Sequence, residues 1–238
     1  DFTRLTIGAS DFSRHHYSLD DVPAGGMLSI SLPADELRAE LGDELDLAAA
    51  NSPQLSVASG TEAQINELAE RLAAKGIDSK HVRISIAAHS RLLDGILDRF
   101  RAYLKSVRLH APVLPIISNR TGTWLEPAKA QSPDYWVEHL RNSVLFAAGV
   151  TTLLEAHDRV FLEVGPGHTL GAFVRQNPQA PAQRVFASLR HPEDAVADDI
   201  YFRTVAGRLW AVGASLNIER LWNTPRRRVP LPTYPFQH

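Results

Sequence analysis

Between Met27 and Ile84 the chain passes through a fixed alternation of two hydrophobic rhythms, and that order leaves few folds open. Met27-Leu28-Ser29-Ile30-Ser31-Leu32 alternates apolar and polar residues as a half-buried strand does. Pro33 followed by Ala34-Asp35-Glu36-Leu37 opens a helix with acids in its first turn, and Gly42 stops it. Leu45 to Ala50 is an apolar run, Asn51-Ser52-Pro53-Gln54 a turn, and Leu55-Ser56-Val57-Ala58-Ser59 a second alternating segment, so the pair reads as a hairpin-like connection. Thr61 suits an N-cap, Ile65, Leu68 and Leu72 recur at helical spacing, and Gly76 suits the C-terminal end. Ile77 to Ile84 supplies a last strand.

The order βαββαβ predicts the ferredoxin-like split unit, two helices on one face of a four-stranded sheet. That arrangement hosts many activities and says nothing of this one. Beyond residue 89 the scale changes. Leu92, Leu93, Ile96, Leu97, Phe100 and Leu104 form one helix face, and Val113 to Asn119 reads as a buried strand with an edge or bulge at Pro115. Ser132-Pro133 opens a helix through Leu140, and Phe146 to Ala156 is another. Val160 to Val164 is a continuous apolar run broken only by Glu163, the mark of a parallel strand covered on both faces. It feeds Gly165-Pro166-Gly167-His168, a turn able to present backbone N–H groups to an anion, and then a short helix from Thr169 to Gln176. Arg184 to Leu189 reads as a strand. Asp194 to Val212 reads as a long helix with Ile200, Val205, Leu209 and Val212 on its apolar face.

Composition narrows the classes of function. At 238 residues, with 44% hydrophobic and 22% charged residues and a net charge of −2, this is an ordinary globular composition. Interspersed charges point to no nucleic-acid and no membrane partner. The Arg226-Arg227-Arg228 run beside several prolines reads as a solvated or locally paired linker rather than a phosphate site. No cysteine is present, which removes disulfides, thiolate zinc sites and cysteine nucleophiles together. Arg14, His15 and His16 are adjacent and cannot share a helix face, so no metal site is expected there. No stretch nears the ~18 apolar residues that span a bilayer and no signal peptide opens the chain, so a cytoplasmic protein is expected. The mixed, weakly periodic residues before Tyr17 read as a segment from the middle of something larger.

The residue with most chemical promise is His89, in Ser85-Ile86-Ala87-Ala88-His89-Ser90, where a β-type segment gives way to an amphipathic helix. An imidazole with a pKa near ~6.5 at such a junction suits a general base at neutral pH. A structural, hydrogen-bonded histidine is the competing reading of the position alone.

Several motifs occur in a shared order: Ala49-Ala50-Asn51-Ser52-Pro53 with Val57-Ala58-Ser59-Gly60, Ile86-Ala87-Ala88-His89-Ser90, Tyr135-Trp136-Val137-Glu138-His139-Leu140, Phe161-Leu162-Glu163-Val164-Gly165-Pro166-Gly167 and Leu231-Pro232-Thr233-Tyr234-Pro235-Phe236-Gln237. From about residue 24 onward the chain resembles the C-terminal part of an acyltransferase domain of a modular type I polyketide synthase, a relative of the malonyl-CoA:acyl-carrier-protein transacylases. The final motif resembles the post-acyltransferase linker.

The resemblance implies an α/β fold, part of an α/β-hydrolase-like acyltransferase domain with a ferredoxin-like (βαββαβ) small subdomain. Residues 1–26 would belong to the large subdomain, 27–88 to the small one, 89–213 to the C-terminal part of the large one and 214–238 to the linker. It implies transfer of a malonyl-type extender unit from acyl-CoA to the phosphopantetheine thiol of an acyl carrier protein, with no permanently bound cofactor and no metal. Its partners would be the carrier protein and neighbouring synthase domains, among them the N-terminal acyltransferase portion. His89 matches the family's general base, held by a backbone carbonyl from the segment around His139. Asn51 matches a residue lining the acyl-CoA site, although a turn asparagine bonding its own backbone is an equal reading. Ala88 stands where relatives carry phenylalanine or serine in motifs that accompany malonyl or methylmalonyl use, so a branched extender would not be excluded by its side chain. The family's serine sits in a Gly-His-Ser-x-Gly elbow upstream of the small subdomain, and no Gly-x-Ser-x-Gly occurs in these 238 residues. The chain alone is therefore expected to be inactive. A non-catalytic docking module of a synthase is the alternative, and a thioesterase-like hydrolase would lack the same nucleophile.

Overall fold

The computed structural model describes residues 23–221 together with 227, 229, 230 and 232. Most of the expected N-terminal segment 1–26, the arginine run at 226–228 apart from Arg227, and most of the proline-rich end lie outside the described residues.

The first part follows the order read from the sequence. Strand β1 (Gly26–Ile30) leads to helix α1 (Ala34–Leu41), strands β2 (Asp46–Ser52) and β3 (Leu55–Gly60), helix α2 (Glu62–Ala74) and strand β4 (Ser79–His81). The sheet order is β2-β3-β1-β4 and every pairing is antiparallel, which is the ferredoxin-like split arrangement. Leu28 pairs with Ala58 and Ile30 with Ser56, so these residues share a face. On that face Leu28, Ile30, Leu47 and Ala58 pack with Leu37 and Leu41 of α1 and with Ile65, Leu68 and Leu72 of α2. The apolar residues at helical spacing in α2 are thus all core. Met27, Val57 and Ala49 pack on the opposite face, where Val144 joins them.

The ends of α2 show why it starts and stops where it does. Thr61 Oγ1 accepts the Gln64 N–H, and Gln64 Oε1 accepts the Thr61 N–H at 2.9 Å, a reciprocal capping box. At the other end Gly76 has a φ of 71°, and the N–H groups of Gly76 and Ile77 reach back to the carbonyls of Ala73 and Leu72. This is the Schellman arrangement, which a left-handed glycine permits. Strand β4 is shorter than the Ile77–Ile84 segment expected.

After β4 the chain turns at residues 87–90 into a 3-10 helix (Arg91–Ile96) and then helix α3 (Leu97–Ser106). Ser90 Oγ accepts the Leu92 N–H and caps the 3-10 turn. The expected strand from Val113 to Asn119 does not form. Val113 is 98% and Leu114 61% exposed, and only Ile117 forms an isolated bridge, with Trp124. Pro112 and Pro115 bracket the pair and remove two ladder donors, so their apolar character alone does not make a strand. Short helix α4 (Pro127–Ala130), helix α5 (Pro133–Arg141) and helix α6 (Phe146–Leu154) follow. Helices α3 and α5 pack through Phe100, Leu104 and Val137. Ser132 occupies the N-cap of α5, but its side chain makes no cap bond.

Two units are distinct: residues 23–159 with Ala172–Ala182, and Val160–Gly171 with residues 183–221. In the second, strand β5 (Phe161–Glu163) pairs in parallel with strand β6 (Val185–Ala187), as the apolar run led us to expect. Val164 is 83% exposed, so the run is not covered on both faces. The Gly165–His168 turn leads into helix α7 (Thr169–Arg175), and the Glu163 carboxylate accepts the N–H groups of Leu170 and Gly171 at 3.1 and 2.9 Å. The anion at these amides is therefore the chain's own. Helix α8 (Asp198–Ala211) packs against β6 through a face containing Val205. It begins four residues later than expected, and Ile200 lies off the buried face, 55% exposed.

Candidate active site

His89 is held by its main chain in an uncommon shape. Its φ is 56°, the only positive value at a non-glycine position among the described residues. For an L-residue with a large side chain this left-handed conformation costs roughly 1 kcal/mol or more. The flanking bonds offset that cost: Ser90 Oγ donates to the Ala87 carbonyl at 2.7 Å, and the Arg91 N–H donates to Asp46 Oδ2 at 2.8 Å.

The ring sits at the C-terminal end of α5. Its centroid is 6.3 Å from that of His139 in an edge-on arrangement, and His139 in turn stacks loosely on Trp136 at 5.9 Å. Burial lowers the His89 pKa below its ordinary value of 6.5, whereas backbone of Asn142, His139 and Leu140 facing the ring favours its protonated form without overcoming the burial. The last carbonyls of a helix lack partners within it and carry partial negative charge, which accounts for that pull. Nδ1 is enclosed and meets no group at hydrogen-bond geometry among the described residues. His139 is lowered as well, first by burial and then by the charge on His89. The arrangement keeps His89 neutral at pH 7 while supplying carbonyls that stabilise the imidazolium once a proton is taken. Both properties suit a general base.

His89 lines a cleft of about 260 Å³ together with Asp46 and Leu47 of β2, Arg141 of α5, and Asn142 and Ser143 after it. The 142–144 segment is laced to β2: Val144 N–H donates to Ala48, Ala50 N–H donates to Val144, and Ser143 Oγ donates to Leu47. Asn51 lies one residue beyond, at an irregularity in the β2–β3 register, half-buried. Ala88 is half-buried beside fully buried Ala87. Neither Asn51 nor Ala88 lines the cleft. His89 thus lies beside the end of α5, while Asn51 and Ala88 stand outside the lining of the cleft.

Sequence reasoning missed three charged residues. Asp46 Oδ2 also accepts Arg91 Nε at 3.0 Å, and Arg141 Nη1 lies 3.8 Å from Asp46 Oδ1. Burial raises the Asp46 pKa, but its bonds to Arg91 and the charges of Arg141 and Arg91 outweigh it and leave a net lowering. Arg141 Nε further pairs with Asp94. These residues are separated by up to 95 positions in sequence, and no local pattern links them. Among the described residues no group of three or more histidine, cysteine, aspartate or glutamate side chains could hold a metal ion, and no helix is long and apolar enough to cross a membrane.

The acyl transferase domain family matches residues 11–210. The chain is 32% identical over 223 residues to a phenolphthiocerol/phthiocerol polyketide synthase of Mycobacterium tuberculosis, covering 92% of this chain and 15% of that protein. Among solved structures it is similar to the acyl transferase domain of ZmaA, with a TM-score of 0.80 and 32% identity over 90% of this chain and 50% of that one. It is also similar to the acyl transferase domain of SpnD in complex with 2-(pent-4-yn-1-yl)malonyl, with a TM-score of 0.79 and 31% identity over 87% of this chain and 50% of that one. The chain thus spans half the length of these two solved domains and a small part of the curated relative. The shared fold and the extent of these matches show that the chain belongs to the acyl transferase domain family, among the acyltransferase domains of polyketide synthases.

Proposed function

We propose that the chain provides the general-base side of a site that moves a malonyl-type group from CoA to the phosphopantetheine thiol of an acyl carrier protein. The observation that carries this reading is His89, neutral through burial, fixed in a left-handed turn and faced by the carbonyl end of α5. In the first half-reaction His89 Nε2 takes the proton of a serine hydroxyl supplied from outside these residues. The serine oxygen bonds to the thioester carbon, the C–S bond breaks, and the imidazolium returns the proton to the CoA sulfur. In the second half-reaction His89 takes the proton of the phosphopantetheine thiol, sulfur bonds to the acyl carbon, the ester C–O bond breaks and serine recovers its proton. Tightening of Nδ1–H onto a carbonyl of the 139–142 segment in the loaded site would stabilise each imidazolium, since such bonds are often loose before substrate binds.

Asn51 belongs to the acyl-CoA side of the site and Ala88 to the acyl pocket. The small methyl of Ala88 leaves room for a branched extender, and a domain at 31% identity is known in complex with 2-(pent-4-yn-1-yl)malonyl. Residues 27–88 act as the small subdomain and 89–213 as part of the large one, with neighbouring synthase domains as partners in the cytoplasm. Intact-mass measurement tests the reading. After incubation with malonyl-CoA or methylmalonyl-CoA, the chain alone should stay unmodified. A protein joining it to an N-terminal acyltransferase portion should gain one acyl group, and His89→Ala should abolish transfer there. A stable acyl adduct on the isolated chain, or full transfer by His89→Ala, would overturn it.

A further inference from the structure

One carboxylate bonds the main chain just after His89 and pairs with the side chain of Arg141, next to the segment that faces the ring. Asp46 stands at the start of β2, with its side chain 18% exposed. On one side its Oδ2 accepts the backbone N–H of Arg91, two residues after His89, at 2.8 Å, and Arg91 Nε at 3.0 Å. Arg91 Nη2 approaches Oδ1 at 3.3 Å, and Arg91 Nη1 donates to the Asp43 carbonyl. On the other side Arg141 reaches Oδ1 at 3.8 Å. Arg141 lies between Leu140 and Asn142, whose backbone faces the His89 ring. Asp94 accepts from Arg141 and keeps that guanidinium turned toward the turn after His89.

We propose that Asp46 is a positioning residue for His89, holding the left-handed turn that carries the imidazole against the carbonyl end of α5. The proposal rests on the reading of His89 as the general base. Exposed ion pairs contribute little, but this carboxylate is largely enclosed, and its shortest bond goes to a backbone N–H and is not lost to side-chain motion. Removing it frees the main-chain N–H two residues after the ring and takes an ion-pair partner from Arg141, beside the backbone that faces the ring. A displacement of about 1 Å of a catalytic group costs on the order of 100-fold in rate.

The test uses the chain joined to an N-terminal acyltransferase portion, with Asp46→Ala and Asp46→Asn beside His89→Ala. Acyl transfer to the carrier protein is followed for kcat and KM, and backbone amide hydrogen exchange is read at Arg91. Asp46→Ala should lower kcat about 10- to 100-fold, leave KM for acyl-CoA within about twofold and speed Arg91 exchange about tenfold or more. Asp46→Asn, which keeps an acceptor for the Arg91 N–H but loses the charge, should give a smaller fall in kcat of the same kind. It decides the matter if the alanine variant does not fold. If His89→Ala abolishes transfer while Asp46→Asn and a folded Asp46→Ala keep the native kcat, the positioning role is wrong and the base assignment stands. A rise in KM with native kcat assigns Asp46 to substrate binding and also overturns the proposal. If His89→Ala keeps native transfer, it is the reading of the base that fails.

Discussion

Ser90 Oγ donates to the carbonyl oxygen of Ala87 at 2.7 Å and itself accepts the Leu92 N–H at 3.2 Å, so one buried hydroxyl closes the turn around His89 and starts the helix that follows. Ser90 is 0% exposed, which leaves no water to replace it.

Ser90→Ala should therefore cost about 1–3 kcal/mol of stability, since it strands a buried carbonyl and a helix-start N–H together. Chemical denaturation of the two proteins measures this directly. The turn also grades replacements at residue 89. His89→Asn, which tolerates a left-handed φ, should be more stable than His89→Val, whose β-branch does not. Equal stability of the two variants would mean that the turn relaxes when the ring is removed.

Acid should weaken the fold through the same ring. Burial lowers the pKa of His89 in the folded chain, and that of His139 too, so the unfolded chain binds more protons once the pH falls below about 6.5. The stability that these neutral rings contribute is complete above the unfolded value and is lost as pH falls through the folded one. Denaturation midpoints should drop as the pH falls below about 6.5, and His89→Asn should flatten that drop. Asp46 contributes in a separate, more acidic window, because its folded pKa is held below 3.8 and its share is lost only as pH falls through that lowered value.

Much of the βαββαβ unit is legible in the sequence because its instructions are local. The Leu28/Ile30 alternation, the Thr61 N-cap and Gly76 each act within a few residues, and each does in the fold what its neighbours in sequence imply. The site is legible only in part. His89 stands out by its place in an ordered set of motifs, but the Asp46 carboxylate that grips the residue two after it lies 45 positions upstream of Arg91, and only chain folding joins them. Val113 and Leu114 mislead for the opposite reason: their apolar identity suggests burial, where two prolines deny the segment a ladder.

Ser118 and Tyr135 offer a test of asymmetry in buried hydrogen bonding. Tyr135 Oη donates to Ser118 Oγ at 2.7 Å, and Ser118 Oγ also accepts the N–H groups of Arg120 and Thr121. Tyr135→Phe removes one donor and leaves the serine its backbone partners, so it should cost about 1 kcal/mol. Ser118→Ala strands three donors around a turn and should cost more, about 2–3 kcal/mol. Thermal or urea unfolding ranks the pair, and the reverse order would show that the phenol, not the serine, organises the Ser118–Thr123 turn.

The acyl pocket can be probed at Ala88 because the chain beside it has nowhere to go. Ala87 is fully buried, and it passes so close to Gly25 that a Cβ added there would lie 2.6 Å from the Ala87 Cβ. The backbone at 87 cannot retreat to make room for a larger neighbour, so in Ala88→Phe the added ring is accommodated by the surroundings of residue 88 and not by a shift of Ala87. If Ala88 faces the acyl group, the ratio of methylmalonyl to malonyl transfer by the chain joined to an N-terminal acyltransferase portion should fall about 10- to 100-fold, the range that one methyl contributes in a pocket. Competition between the two CoA esters, read as the ratio of acyl groups delivered to the carrier protein, measures it. An unchanged ratio with unchanged total transfer would place Ala88 outside the pocket and move the search for the selectivity residue elsewhere.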